Sequence, residues 1–333
     1  MELFKKGVKF VSTLSLSVNQ KLLNTLIYDG DDILEEKKHY ERIYEIIQEV
    51  NNDETMMNMI LKKLQDFSGN CNYIFKILTL IIRITENFSD DLDVLQPLYG
   101  NIPIPTLIKD MSEYKYDIKK RVASCTSRIL DNHLKLLLSS ESEDTTFQKV
   151  RRLSLAIKYS NEIFFHGHKI VGMIESVVEC DDLLDNEAFM TCFMFSMQQT
   201  IIAYQTILDY SAMIASFATI EYNLLDLNDI DTWNDILNSL EKLDELASNF
   251  LLKLNMYNYF LKNYNIYEDD FLDNIKQYGS KRAKELLSSR PYTSLEIIPG
   301  GEDVEELDLP GLDEEVKEQT TEYKILDCDC ILE

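Results

Sequence analysis

Four groups of residues in this 333-residue chain have types and spacings that could do chemistry. Asp181-Asp182-Leu183-Leu184-Asp185 sets three aspartates at a spacing able to hold Mg²⁺ and a diphosphate. The chain carries 58 acidic residues, so a solvated acidic surface run is the simpler reading of that string. His166 and His168 form an HxH pair, but on a helix residues two apart face different directions, which argues against joint metal ligation. At the C-terminal end, Cys330-Ile331-Leu332-Glu333 has the C-a-a-X form of a prenylation signal, with Glu333 outside the usual choices for the last position. Cys330 and the neighbouring Cys328 are therefore the candidate lipidation sites. At the other end, Phe4, Val8 and Val11 alternate with Lys5, Lys6 and Lys9. That is the pattern of a helix lying in a membrane interface, and equally that of an ordinary N-terminal core helix. There is no glycine-rich phosphate loop and no nucleophile elbow. No catalytic residue, metal ligand or cofactor is expected.

The elements that must carry these residues read as helices. Only 10 Gly and 6 Pro interrupt the chain, too few for a many-stranded fold. No apolar run approaches the roughly 20 residues that span a bilayer, and no secretory signal follows the basic start. Cys71, Cys125, Cys180 and Cys192 lie singly within helical patterns, as reduced thiols of a cytoplasmic protein would. The net charge of −25 is uneven: residues 1–200 hold 23 basic against 30 acidic side chains, and residues 201–333 hold 10 against 28. Such a chain is repelled by nucleic acid and by anionic lipid, so any membrane-facing surface has to be a local basic patch in the first 200 residues.

Along the chain, residues 1–22 form the amphipathic opening. Asp29-Gly30-Asp31-Asp32 reads as a turn and helix cap. Helical periodicity runs from Ile33 to about Phe88 with a kink at Ser68–Asn70, and Leu95 to Pro105, with three prolines, is a loop. A second helix is predicted from about Thr106 to Leu138. A tight polar connection follows at 139–144. A third apolar periodicity runs from about Thr146 to Leu224; as one helix it would exceed roughly 100 Å and would need a partner along its length. Residues 226–290 read as an accessory helical segment containing Trp233. Residues 291–333 read as a disordered acidic tail.

Three stretches resemble an N-BAR domain of the amphiphysin/Rvs-like kind. One is Leu3-Phe4-Lys5-Lys6 followed by Thr25, Asp29 and the run from Glu35 to Tyr40. Another is Pro103-Ile104 with Ile118-Lys119-Lys120-Arg121 at the family's spacing. The last is Lys149-Val150-Arg151-Arg152 through Ile163-Phe164 to Gln198-Gln199. The resemblance spans residues 1–225, with 23–225 as the BAR-like domain, and implies a long-helix antiparallel bundle pairing as a coiled-coil homodimer. It implies that Lys115, Lys119, Lys120, Arg121 and Arg128 face lipid on the second helix, and that Lys149, Arg151, Arg152 and Lys158 sit at or beside the tip. The chain departs from the family in its low basicity and in having nothing that reads as an SH3 domain.

The expectation is an all-α, non-enzymatic protein, cytoplasmic and peripheral on membranes, with anionic phospholipid as its partner and a role in sensing or stabilising curvature. Leu309-Pro310-Gly311-Leu312-Asp313 resembles a clathrin-box peptide, which would give the acidic tail a trafficking partner. The alternative is a helical phosphoinositide and clathrin adaptor of the ANTH-like class, which Lys38-His39 faintly resembles; it predicts a compact monomer. An all-α isoprenoid-processing enzyme is a third reading, resting on the aspartates at 181–185.

Overall fold

The computed structural model describes residues 18–28, 33–49, 53–66, 71–105, 113–139, 146–220, 240, 243 and 246–263. The chain divides into two compact units, Met1–Ser289 and Arg290–Glu333, and every described residue belongs to the first. Among the described residues all regular structure is helical and there is no strand. The acidic tail, Cys328, Cys330 and the opening lysines Lys5, Lys6 and Lys9 lie outside the described residues.

In chain order the helices are α1 (Val18–Tyr28), α2 (Ile33–Glu49), α3 (Asp53–Asp66), α4 (Cys71–Asn87), α5 (Leu92–Leu95), α6 (Glu113–Leu138), α7 (Thr146–Val171), α8 (Ile174–Val178), α9 (Asp181–Leu184), α10 (Glu187–Ile220) and α11 (Asn258–Lys262). A 3₁₀ turn at Gln96–Leu98 follows α5, and Gly100 then takes φ 67°. That left-handed conformation is one a side chain would strain. The apolar periodicity predicted across 33–88 is thus carried by three helices.

A larger correction concerns residues 146–224, which do not form one rod. Helix α7 ends at Val171, and Gly172 and Met173 turn the chain, their N–H groups donating to His168 O (3.0 Å) and Ile170 O (2.9 Å). Two short helices follow, and α10 begins where Asn186 Oδ1 accepts the Phe189 N–H at 2.9 Å, an N-cap bond. α10 then runs back along α7. Gly167 meets Thr200, and Phe164 meets Tyr204 with ring centroids 5.6 Å apart, so residue numbers rise on one helix as they fall on the other. The lengthwise surface that a 100 Å helix would offer a second copy is thereby broken into two helices packed against each other. A glycine at the stop and an asparagine at the restart outweigh a continuous apolar period.

Helix α10 is apolar on nearly all sides, as a helix enclosed by its neighbours must be. It packs on α4, α6 and α7, and small residues four apart give each neighbour its close approach. At Cys192 the Sγ atom lies 3.7 Å from Thr79 Oγ1 and donates to Phe75 O on α4 at 3.7 Å. At Ser196 the hydroxyl is 2.9 Å from Thr126 Oγ1 on α6. At Thr200 the partner is Gly167 of α7, where a Cβ would come within 2.6 Å of Thr200 Cβ. The hydroxyls of these two positions are satisfied along the helix, Ser196 donating to Cys192 O (2.8 Å) and Thr200 to Ser196 O (2.5 Å). Gly167→Ala is therefore expected to destabilise the fold by about 1–3 kcal/mol through overpacking, read as a lower midpoint in urea unfolding. An unchanged midpoint would mean that the two helices separate freely there.

The segment predicted as accessory joins this core. Residues 246–256 are helical, and Leu240, Leu243, Ala247, Phe250 and Leu254 are buried at helical spacing. The Phe250 ring meets Phe164 edge-on at 5.2 Å and lies 5.6 Å from Tyr204.

Candidate anion-binding groove

Helices α6 and α7 are antiparallel neighbours joined through the short connection after Ser139. Arg128 faces His166, Cys125 faces Lys169, and Lys135 faces Tyr159. The first two of these pairings bound a groove of about 510 Å³ lined by Asp117, Lys120, Arg121, Ser124, Cys125 and Arg128 from α6 and by His166 and Lys169 from α7. The α6 residues recur every three or four positions and so share one face of that helix. Four cations stand against a single carboxylate. Lys120, Arg121, Arg128 and Lys169 are exposed, and none of them forms an ion pair among the described residues. Lys169 Nζ instead lies over the exposed Phe165 ring, 3.9 Å from its centroid, and Lys120 Nζ is 5.8 Å from the Tyr116 ring. Both arrangements hold an ammonium in place without neutralising it.

The floor of the groove registers these charges. Burial pushes the Cys125 thiol up, while Lys169, Arg128 and Arg121 pull it down. Burial likewise holds the His166 imidazole down to about 4, and the charges of Lys169 and Arg128 act in the same direction. The fields of cations from two helices thus converge on one point. Cys125 and His166 share no hydrogen bond, and the protonated thiol lacks the adjacent base that a nucleophile requires. An arrangement of this kind attracts an anion with several oxygens, as guanidinium and ammonium groups do for phosphate.

The predicted basic residues are distributed unevenly around the groove. Lys120, Arg121 and Arg128 line it. Lys119 is buried and donates to Asn72 Oδ1 at 3.0 Å, because neighbouring residues on a helix stand about 100° apart and three in a row cannot share a face. Lys115 is paired with Asp182. That pair also occupies one of the aspartates of the 181–185 string, which sits on the four-residue α9 with Leu183 buried. Among the described residues no group of carboxylates, cysteines and histidines is placed to hold a metal ion. Arg151 and Lys158 are exposed on α7 and Arg152 is half-buried, while Lys149 lies in the first turn of that helix. The exposed face of α7 runs Arg151, Leu155, Lys158, Glu162, Phe165, Lys169, three cations and two apolar side chains to one acid. Lys169 escaped the sequence reading, and His166 entered it only as half of the HxH pair with His168. The tight connection at 139–144 was the available signal, since a hairpin there brings the end of α7 beside the first half of α6.

Among the described residues no helix is long and apolar enough to cross a membrane. Cys71, Cys125, Cys180 and Cys192 are free thiols, and burial pushes Cys192 up to about 12.

The histidine of α6 sets an acid limit on the fold. His133 packs edge-on against Phe195 at 5.8 Å, its Nδ1 is sealed from solvent without a partner, and burial holds its pKa at about 4. The unfolded chain takes up a proton near pH 6.5 that the folded chain refuses. Stability is therefore present above that pH and is lost as pH falls from 6.5 towards 4, on the order of 3 kcal/mol for a shift of this size. Denaturant titrations at pH 7, 5.5 and 4.5 are expected to show this decline, and His133→Gln to make it shallower, His166 keeping its own part. An equal slope in the variant would remove His133 as its source.

Comparison with protein-family models, curated proteins and solved structures finds no match to this chain.

Proposed function

We propose that this chain is a non-enzymatic peripheral membrane protein that docks on anionic phospholipid through the exposed face of α6 and α7, with the groove between them receiving lipid phosphate. The observation that carries this reading is the set Lys120, Arg121, Arg128 and Lys169, four cations without acidic partners among the described residues, in a chain whose net charge is −25. In so acidic a chain, cations left unpaired around one cavity keep a local positive potential that an anionic leaflet can meet. Phe165 and Leu155 on the same face supply apolar side chains to enter the headgroup layer. The chain folding back between α7 and α10 favours a compact helical unit, in the manner of the adaptor alternative, over a lengthwise BAR-type dimer. Co-sedimentation with vesicles tests the docking. Phosphatidylglycerol vesicles should retain the protein at low salt and release it as salt rises, and phosphatidylcholine vesicles should not retain it. Equal retention by both would refute the proposal. Sizing of the free protein as an elongated dimer would return the argument to the BAR-type reading.

A further inference from the structure

We infer that the groove takes its anion together with a proton, accepted by His166 on the groove floor, so that docking on phosphate headgroups strengthens as pH falls. The inference rests on the docking reading and adds its regulation. His166 is buried, lines the groove, and places Nε2 3.8 Å from Glu162 Oε2, too long for a hydrogen bond but within reach of an ion pair once the ring is charged. The groups facing it account for its present state. From α6 come Asp117, Lys120, Arg121, Cys125 and Arg128, and from its own helix Glu162 and Lys169, His168 being turned to another side of α7. The α10 segment packed behind it, residues 197–204, contributes one titratable side chain, Tyr204, whose ring is engaged with Phe164 and Phe250.

With the groove empty, burial and two cations oppose a third positive charge at the ring. An anion seated among those cations reverses the sign of that field. Opposite charge within a few ångströms raises an imidazole pKa, and Glu162 stands ready to hold the imidazolium. By linkage, whatever raises the proton affinity of His166 on binding must raise anion affinity on protonation. The direction is fixed: the free ring, with its pKa at about 4, is neutral from pH 7 to 5.5, and a bound anion moves its titration upwards. An upward move of roughly two pH units on binding makes affinity about fourfold higher at pH 5.5 than at pH 7.

The test uses the full chain and phosphatidylglycerol vesicles, whose phosphodiester keeps its charge across this range. Affinity is measured at pH 7.0 and 5.5 for the wild type and for His166→Gln, which shares every other titrating group. The expected result is an acid-induced gain about fourfold larger in the wild type. The same gain in both proteins overturns the proton coupling and leaves the docking reading standing, whereas no wild-type binding at either pH overturns both. Because the variant alters a buried position, the wild-type ring is also titrated by NMR. Its midpoint should rise when soluble short-chain phosphatidylglycerol is added, and an unmoved midpoint overturns the coupling whatever the variant does.

Discussion

Replacing Lys120, Arg121 and Lys169 together with glutamate is expected to abolish retention on phosphatidylglycerol vesicles. Each cation near an anionic surface contributes on the order of 1 kcal/mol, so removing three lowers affinity by more than about 100-fold. Reversing their sign adds repulsion to that loss. All three are exposed groove residues whose side chains bear no part of the core, so the helical spectrum and the unfolding midpoint should be preserved. Arg42→Glu is the control. It removes an exposed cation of α2 that already pairs with Glu45 at 2.5 Å, and it should leave binding nearly unchanged. If the triple variant binds as the wild type does, the groove is not the contact surface. If Arg42→Glu weakens binding as strongly, net charge rather than the groove is responsible.

The largest effect on stability is expected from Phe250→Ala. Phe250 is 1% exposed and closes an aromatic cluster with Phe164 of α7 and Tyr204 of α10. Truncating a fully buried phenylalanine costs about 3–5 kcal/mol, through lost burial and the cavity left behind. In a unit of this size the melting temperature should fall on the order of 10 °C, in a single transition. The result separates two views of residues 226–290. Were this segment an accessory lobe, the main transition would keep its position and a small early one would appear.

Helical class and several boundaries could be read from the amino acids alone, for identifiable reasons. The scarcity of glycine and proline excluded a sheet, and the polar run at 139–144 separated α6 from α7 within a residue or two. What periodicity could not supply was direction. The apolar spacing through 146–224 continues almost unbroken, because α7, α8, α9 and α10 all bury apolar faces in the same core. Gly172 marks the stop, and the acidic run from Glu179 to Glu187, which contains the capping Asn186, marks the reversal; weighed only as a diphosphate-binding string, that run was not taken as a break. The groove was half legible. The cluster at 119–121 pointed to α6, but counting consecutive charges included Lys119, whose direction on the helix takes it inward to Asn72. Lys169 is distant in sequence and enters only through the antiparallel register of two helices, which a list of charges does not contain. The segment at 226–290 had no resemblance to lean on, and its apolar positions read as a separate surface until Phe250 was found against Phe164.

The enclosure of α10 also dictates an order of events during synthesis. Its partners on α4 precede it by more than a hundred positions: Thr79 bonds Ala188 across 109 residues, and Phe75 meets Cys192 across 117. Contacts of such high sequence separation form late, since the intervening loop must close before they contribute. A chain extended only to residue 186 therefore lacks the helix that covers the apolar faces of α4, α6 and α7, and exposed faces of that kind favour aggregation. The helix at the centre of the core is also one of the last to find its partners.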